Sequence, residues 1–465
     1  AGGCGKTRLA LEVASRVLAD YPDGVWFVEL APLGNPELVQ QTVASALGVT
    51  EEPSRPVIDS LLDFVKGKTL LIVLDNCEHL LADSADLVNA ILMALSDLRV
   101  LVTSREDMIL TGEVMHRVPA LAVPDVDEYL HLEELSQVEA VRLFVERARA
   151  VDLGFRLTRE NAPSVVHICR QLDGIPLAIE LAAARVKMMP LEEIGRRLED
   201  RFRLLTGGSK ASLPHHQTLR ALIDWSYEHL TESEQALLRR LSVFAGGWTL
   251  EAAEIVCAGG GIETWGVLDL LSHLVDKSLV EVDAEAGKQS GRARYQMLET
   301  VRQYAREDLV ARGECDDACR RHRAYYVALT EEAEPDLRAS AQTYWFERLE
   351  EENDNIRVAL RSLIDGDSDG EMELRIAGAL GRYWMIRGHW SEGRAHYEEL
   401  LELPAAKKDT VAVADCFNGA GNLSYHQSDY DRARGFHNRA LEIRRKLGDV
   451  AGEAKSLNNL GETAR

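Results

Sequence analysis

Gly2-Gly3-Cys4-Gly5-Lys6-Thr7 sets flexible glycines beside an ammonium group and a hydroxyl, a combination suited to holding phosphate. The general pattern is G-x-x-x-x-G-K-[ST], with Ala1 to Cys4 in the variable places and Gly5, Lys6 and Thr7 in the last three. Glycines let successive backbone N–H groups turn inward into an anion-binding concavity. A helix opening near Lys6 adds its positive end. Lys6 is expected to reach the β- and γ-phosphates of a nucleotide and the Thr7 hydroxyl to bind Mg²⁺. The first glycine of the pattern, and the strand that normally feeds such a loop, would precede residue 1. The chain is therefore read as a fragment that begins inside its own site. After the loop, Leu9, Ala10, Leu11, Val13 and Ala14 are expected to form a buried helical face.

A second acid-bearing segment completes the chemistry. Thr69 to Asp75 is a continuous apolar run ending in a carboxylate, as in a strand buried on both faces of a parallel sheet. Ligands bind at the C-terminal ends of such strands, so Asp75 is the expected Mg²⁺ residue. A third apolar strand, Arg99 to Arg105, ends in polar residues at the same edge, where Thr103 or Arg105 could sense the γ-phosphate. Asn76 follows Asp75 where vigorous ATPases often carry an acid. Asn orients water but cannot take its proton, so hydrolysis is expected to be slow at most. Glu78 could substitute only if the turn brings it back toward the phosphate.

Those residues need a scaffold, and the chain is long enough for about three domains. Its 465 residues are 46% hydrophobic, with 53 basic and 76 acidic side chains for a net charge of −23. That balance argues against broad adhesion to nucleic acid or membrane. No apolar run approaches the roughly 18 residues of a membrane helix. Seven scattered cysteines fit reduced thiols in a cytoplasmic protein. Cys315, Cys319 and His322 have helical spacing, but zinc usually takes four ligands and no fourth is evident.

Residues 1–122 alternate helix and strand, the βαβ pattern of a parallel α/β sheet, with a short last strand expected near Met115 to Val118. Residues 123–211 read as an all-α domain. Ser136 to Glu139 spells a capping box, and Gly174 and Pro176 suit a helix end followed by a new first turn. Residues 212–315 differ again. Helices over Gln217 to Leu230, after the Thr231–Glu234 capping box, and near Gly266 to Lys277 precede two strands flanking a polar turn, which suggests a winged helix. Its third helix carries Asp269 and Asp276 against Lys277, a poor set for phosphate and base contacts. An intramolecular packing role is expected instead.

After a helical linker over 316–370, residues 371–465 repeat. Phe417-Asn418-Gly-Ala-Gly421 matches Leu457-Asn458-Asn-Leu-Gly461 at an offset of 40, and the same offset pairs Gly381 with Gly421, Trp390 with Tyr430 and Arg394 with Arg434. Small residues that let paired helices approach, with aromatics between them, describe a tetratricopeptide-type α-solenoid. It is incomplete at Arg465, so further repeats are expected.

Ala1-Gly-Gly-Cys-Gly-Lys-Thr-Arg-Leu-Ala, Leu74-Asp-Asn-Cys-Glu-His-Leu80, Val102-Thr-Ser-Arg105 and Gly174-Ile-Pro-Leu-Ala178 together resemble the NB-ARC-like signal-transduction ATPases of the STAND class. The likeness is nearest to bacterial regulators that join such an ATPase to a winged helix and tetratricopeptide repeats, of the LuxR and antibiotic-regulator types. The resemblance implies a P-loop NTPase switch. ADP locks the domains together; exchange for ATP, triggered through the repeats, opens them and permits homo-oligomerisation. It implies that Gly2, Gly3, Cys4, Gly5, Lys6, Thr7 and Arg8 hold nucleotide and that Pro176 packs on the adenine. Lys6, Asp75 and Arg105 would serve any hydrolysis, with Thr7 and Asp75 on Mg²⁺. Protein partners would bind the repeats, and DNA would be met only by a domain outside this chain. One departure is Met297-Leu298-Glu299, where many relatives carry Met-His-Asp with the His on the ADP phosphate; Leu298 cannot make that contact. The competing readings are a fast ATPase, opposed by Asn76, and a repeat scaffold with a vestigial site, opposed by the loop, Asp75 and the Gly174 segment.

Overall fold

The structure, a computed structural model, describes residues 3–53, 55–94, 98–124, 132–205, 215–283, 291–361 and 370–464. The chain forms two compact units. One comprises Ala1–Glu12, Glu113–Val243 and Gly247–Ala318, the other Val13–Gly112, Phe244–Gly246 and Cys319–Arg465.

Helix α1 (Lys6–Arg16) follows the glycine loop. Its buried positions are Ala10 and Ala14, whereas Leu9, Leu11 and Val13 are exposed. The expected five-residue face is thus narrower. Ala10 and Ala14 are four apart and share one side of the helix; Leu9, Leu11 and Val13 fall on sides that no described element covers.

Next come β1 (Val25–Glu29), α2 (Val39–Ala46), α3 (Val57–Val65), β2 (Leu71–Asp75), α4 (Leu81–Ala94) and β3 (Arg99–Val102). The strands form a parallel sheet in the order β1-β2-β3, with Val28 opposite Leu74 and Glu29 opposite Asp75. Every residue of β2 is buried, which is why its sequence shows no polar alternation. Leu30, Val43, Leu61, Leu87 and Ile91 close the core around it. Helix α3, with Leu61 and Val65 inward, is absent from the sequence reading. The expected strand near Met115 to Val118 does not form. The outer edge of β3 pairs with no described strand, and Val114 and Met115 are exposed, so that segment has neither a ladder partner nor a buried face.

In the other unit, α5 (Leu132–Leu135), α6 (Glu139–Val151), α7 (Ala162–Gln171), α8 (Pro176–Ala183) and α9 (Leu191–Leu205) form the helical layer. The capping box expected at Ser136–Glu139 is not made. Helix α6 begins at Glu139 itself, with Val138 as its cap residue. Ser136 Oγ instead donates to the Glu133 carbonyl at 2.7 Å, and Glu139 accepts the Ala122 N–H at 3.1 Å. Then come α10 (His215–Glu228), α11 (Glu232–Leu241), β4 (Trp248–Thr249), α12 (Leu250–Cys257), α13 (Val267–Asp276), β5 (Glu281–Asp283), β6 (Arg294–Gln296) and α14 (Glu299–Ala311). Here the Thr231 box is present: Thr231 Oγ1 accepts the Glu234 N–H at 3.3 Å and Glu234 accepts the Thr231 N–H at 2.7 Å. The small antiparallel sheet runs β4-β6-β5. Strand β4 escaped the sequence reading because two residues show no period. Residues 284–290 of the turn between β5 and β6 lie outside the described residues.

Helices α15 (Cys315–Asp336), α16 (Gln342–Glu351) and α17 (Asn353–Arg361) lead to the repeat, formed by α18 (Glu371–Arg387), α19 (Trp390–Leu401), α20 (Val411–His426), α21 (Tyr430–Leu447) and α22 (Val450–Thr463). Trp390 and Tyr430, paired by the 40-residue offset, open α19 and α21. The small residues have a definite use. The Tyr397 hydroxyl donates to the Ala377 carbonyl at 2.9 Å, and a Cβ on Gly419 would overlap it. Glu51, from the loop after α2, caps α19: its carboxylate accepts the Ser391 N–H at 3.0 Å and the Ser391 hydroxyl at 2.6 Å. Burial pushes its pKa up, against those hydrogen bonds.

His437 on α21 is buried, its Nδ1 has no hydrogen-bond partner, and burial pulls its pKa down to about 4. The unfolded chain titrates near about 6.5. Between those values only the unfolded chain takes the proton, so stability should fall as pH falls, by up to about 1.4 kcal/mol per pH unit. Urea midpoints from pH 7 to 4 should show this slope in the wild type and a flatter one in His437→Leu; parallel slopes would refute the assignment.

Candidate functional site

The loop after residue 2 owes its shape to two left-handed glycines, Gly3 (φ 70°) and Gly5 (φ 83°), on either side of Cys4. Non-glycine residues resist this conformation, and the alternation turns backbone N–H groups to one side. Cys4 is buried, Lys6 half-buried, and Thr7 and Arg8 exposed. Lys6 and Thr7 open α1, at its positive end. Gly2 lies outside the described residues.

The loop rests on α8. The Gly3 carbonyl accepts the Leu177 N–H at 3.2 Å. A Cβ on Gly3 would come within 2.9 Å of Leu219 and 3.1 Å of Leu177. Arg8 lies 3.6 Å from Glu180, which also pairs with Arg147 at 2.8 Å. Pro176 occupies the first turn of α8. The turn before it is fixed by Gly174 (φ 66°), where any Cβ would overlap the Leu121 carbonyl. The same pair is joined by the Leu121 N–H donating to the Gly174 carbonyl at 2.9 Å. The structure thus brings the loop and the Pro176 segment into direct contact. Leu177 and Leu219 as loop supports were not readable from the sequence, since an apolar residue at a helix start carries no signal of what it touches.

Asp75 lies in the other unit, 4% exposed at the end of β2. The Thr103 hydroxyl donates to its carboxylate at 2.6 Å and accepts the Asn76 N–H at 2.9 Å. The Thr103 carbonyl accepts the Cys77 N–H at 3.0 Å. Asn76 sits left-handed at φ 62°, so the chain turns sharply after the acid. Thr103 therefore orients Asp75 rather than standing alone at its strand end. Arg105 is ion-paired with Glu78 at 2.9 Å. This pair also engages the carboxylate considered as a stand-in base.

In the winged helix, Asp269 and Asp276 of α13 are exposed. Lys277 is held by Glu234 at 2.5 Å. Glu299, at the place of the missing Met-His-Asp triplet, pairs with Arg302 at 2.7 Å within its own helix. His322 packs edge-on against Phe244, with centroids 5.2 Å apart. No group of His, Cys, Asp and Glu among the described residues is gathered to hold a metal, and no described helix is long and apolar enough to cross a membrane.

Comparison with known proteins matches residues 1–113 to an AAA domain family and residues 230–310 to a winged helix-turn-helix domain family. A Mycobacterium tuberculosis protein named as an HTH-type transcriptional regulator is 44% identical over 86% of this chain and 43% of its own length. The chain thus spans less than half of that relative. An uncharacterized M. tuberculosis protein is 39% identical over 70% of this chain and 78% of its own length. The regulatory protein AfsR of Streptomyces griseus is 32% identical over 66% of this chain and 29% of its own length. Among solved structures, a STAND protein with a tetratricopeptide repeat sensor from Pyrococcus horikoshii aligns with TM-score 0.45 and 15% identity over 99% of this chain and 70% of that one. With an AAA domain ahead of a winged helix-turn-helix domain, the chain belongs to the same family as the M. tuberculosis protein that is 39% identical to it.

Proposed function

We propose that the chain is the ATP/ADP-binding switch of a signalling ATPase within a transcriptional regulator. Gly2, Gly3, Cys4, Gly5, Lys6, Thr7 and Arg8 would hold the nucleotide phosphates, Pro176 would lie against the base, and Thr7 and Asp75 would hold Mg²⁺. Arg105 would follow the phosphates by exchanging its Glu78 partner. The observation that carries this reading is the loop: two left-handed glycines ahead of Lys6 and Thr7 at the start of α1. That geometry suits an anion better than a plain turn. The buried, Thr103-oriented Asp75 suits a hard cation. Bound nucleotide with Mg²⁺ would supply the charge these residues neutralise; the chain's own part is to bind, orient and exclude water.

Slow turnover fits better than fast, because Asn76 cannot act as a base and Glu78 is paired with Arg105. Helices α18–α22 would act as a tetratricopeptide sensor for protein partners, with homo-oligomerisation on activation in the cytoplasm. DNA would be met only by a domain outside this chain, a reading supported by the exposed acids Asp269 and Asp276 of α13. An ADP-retention assay beside an ATP-turnover assay on the full-length protein tests this. The switch predicts ADP that survives gel filtration and turnover far below the roughly 10 s⁻¹ of a median enzyme. Rapid turnover would mean a motor-like ATPase, and no retained nucleotide a scaffold.

A further inference from the structure

Arg185 follows the C-terminus of α8 and is 1% exposed. Of its guanidinium donors, Nη2 donates to the Ser226 carbonyl at 3.1 Å, while Nε and Nη1 have no partner. No carboxylate among the described residues pairs with it. Glu234, whose charge reaches it at longer range, is already bound to Lys277 and to the Thr231 N–H. Beside it on α10, the Trp225 indole N–H and the Ser226 hydroxyl are also buried without partners. The guanidinium carbon lies 5.8 Å from the Trp225 ring centroid. Buried polar groups are almost always paired, and a lone buried charge is costly.

These groups ask for one kind of ligand. Guanidinium and indole N–H groups only donate. A water accepts two hydrogen bonds and brings two donors of its own. A halide accepts from several donors, brings none and neutralises the charge. Arg185, Trp225 and Ser226 are themselves 1%, 3% and 0% exposed, a setting that suits a small anion better than a phosphate ester or a nucleotide. We propose that Arg185, Trp225 and Ser226 form a buried site for a halide-sized anion that pins α8 to α10. Helix α8 carries Pro176 and the Leu177 N–H that supports Gly3, so the anion sets the helix on which the phosphate loop rests.

The test is thermal unfolding of the full-length protein in sodium chloride, sodium bromide and sodium gluconate at equal ionic strength. Chloride and bromide should raise the midpoint saturably, and gluconate should not. Crystals grown in bromide should give an anomalous peak beside the Arg185 guanidinium. Arg185→Met should lose the halide response. If that variant does not fold, Ser226→Ala keeps the charge and should shift half-saturation to higher halide. Equal midpoints in chloride and gluconate, or ordered water with no bromide signal at Arg185, would overturn the proposal.

Discussion

Lys6→Ala in the full-length protein is expected to weaken ADP and ATP binding by roughly ten- to a hundredfold. The estimate follows from loss of one charge-assisted phosphate contact, about 1.5–3 kcal/mol. The substitution should not disturb the fold. Lys6 is only half-buried at the first position of α1, and alanine is the better helix former there. Titration calorimetry with Mg²⁺ present reads the affinity, and circular dichroism checks the fold. Asp75→Asn offers a contrast. It keeps the shape that Thr103 contacts but removes the negative charge, so it should lower the affinity measured with Mg²⁺ more than that measured with chelator. Unchanged affinity in Lys6→Ala would remove the loop from the site.

What could be read from the sequence follows the range over which each signal acts. Leu71 to Asp75 was legible because a strand buried on both faces has to be apolar throughout. The Thr231 box was legible because its three-residue spacing is set by one turn of helix. Gly174 and Pro176 were legible because each has few backbone conformations. The Ser136 box has the same letters as the Thr231 box, yet it failed. The Ala122 N–H, 17 residues upstream, takes the Glu139 carboxylate, and no local rule sees such a competitor. The same holds for Gly3. Its positive φ is written in its residue type, but its contact with Leu177 depends on a helix more than 170 residues away. Arg105 shows the limit most plainly. An arginine at a strand end is an open hand in the sequence; in the structure Glu78 already holds it.

Glu392→Gln is expected to be the most destabilising of these changes, by about 3–5 kcal/mol. Glu392 and Arg357 form a two-pronged pair, Nε–Oε1 2.6 Å and Nη2–Oε2 2.8 Å, with the carboxylate only 2% exposed. Burial alone would push the Glu392 pKa up, but the Arg357 charge and its hydrogen bonds outweigh it and hold the carboxyl at about 2. His389 and His396 approach the same carboxylate at 3.9 Å. The glutamine keeps the volume and loses the charge, leaving a buried guanidinium with Asp354, at 3.3 Å, as its remaining acidic neighbour. Because the folded pKa lies below the unfolded value of about 4.3, the pair's contribution is present at neutral pH and is lost only as pH falls toward 2. The double change Arg357→Met with Glu392→Leu separates charge from packing. Replacing a buried ion pair with apolar groups of similar size is often neutral or stabilising. The double variant should therefore recover most of what Glu392→Gln loses, as read by urea midpoints at pH 7. A loss below about 1 kcal/mol in the single variant would place the pair with surface ion pairs and remove its role in joining α17 to α19. A double variant as weak as the single would instead show that the shape of the pair, rather than its charge, holds the two helices together.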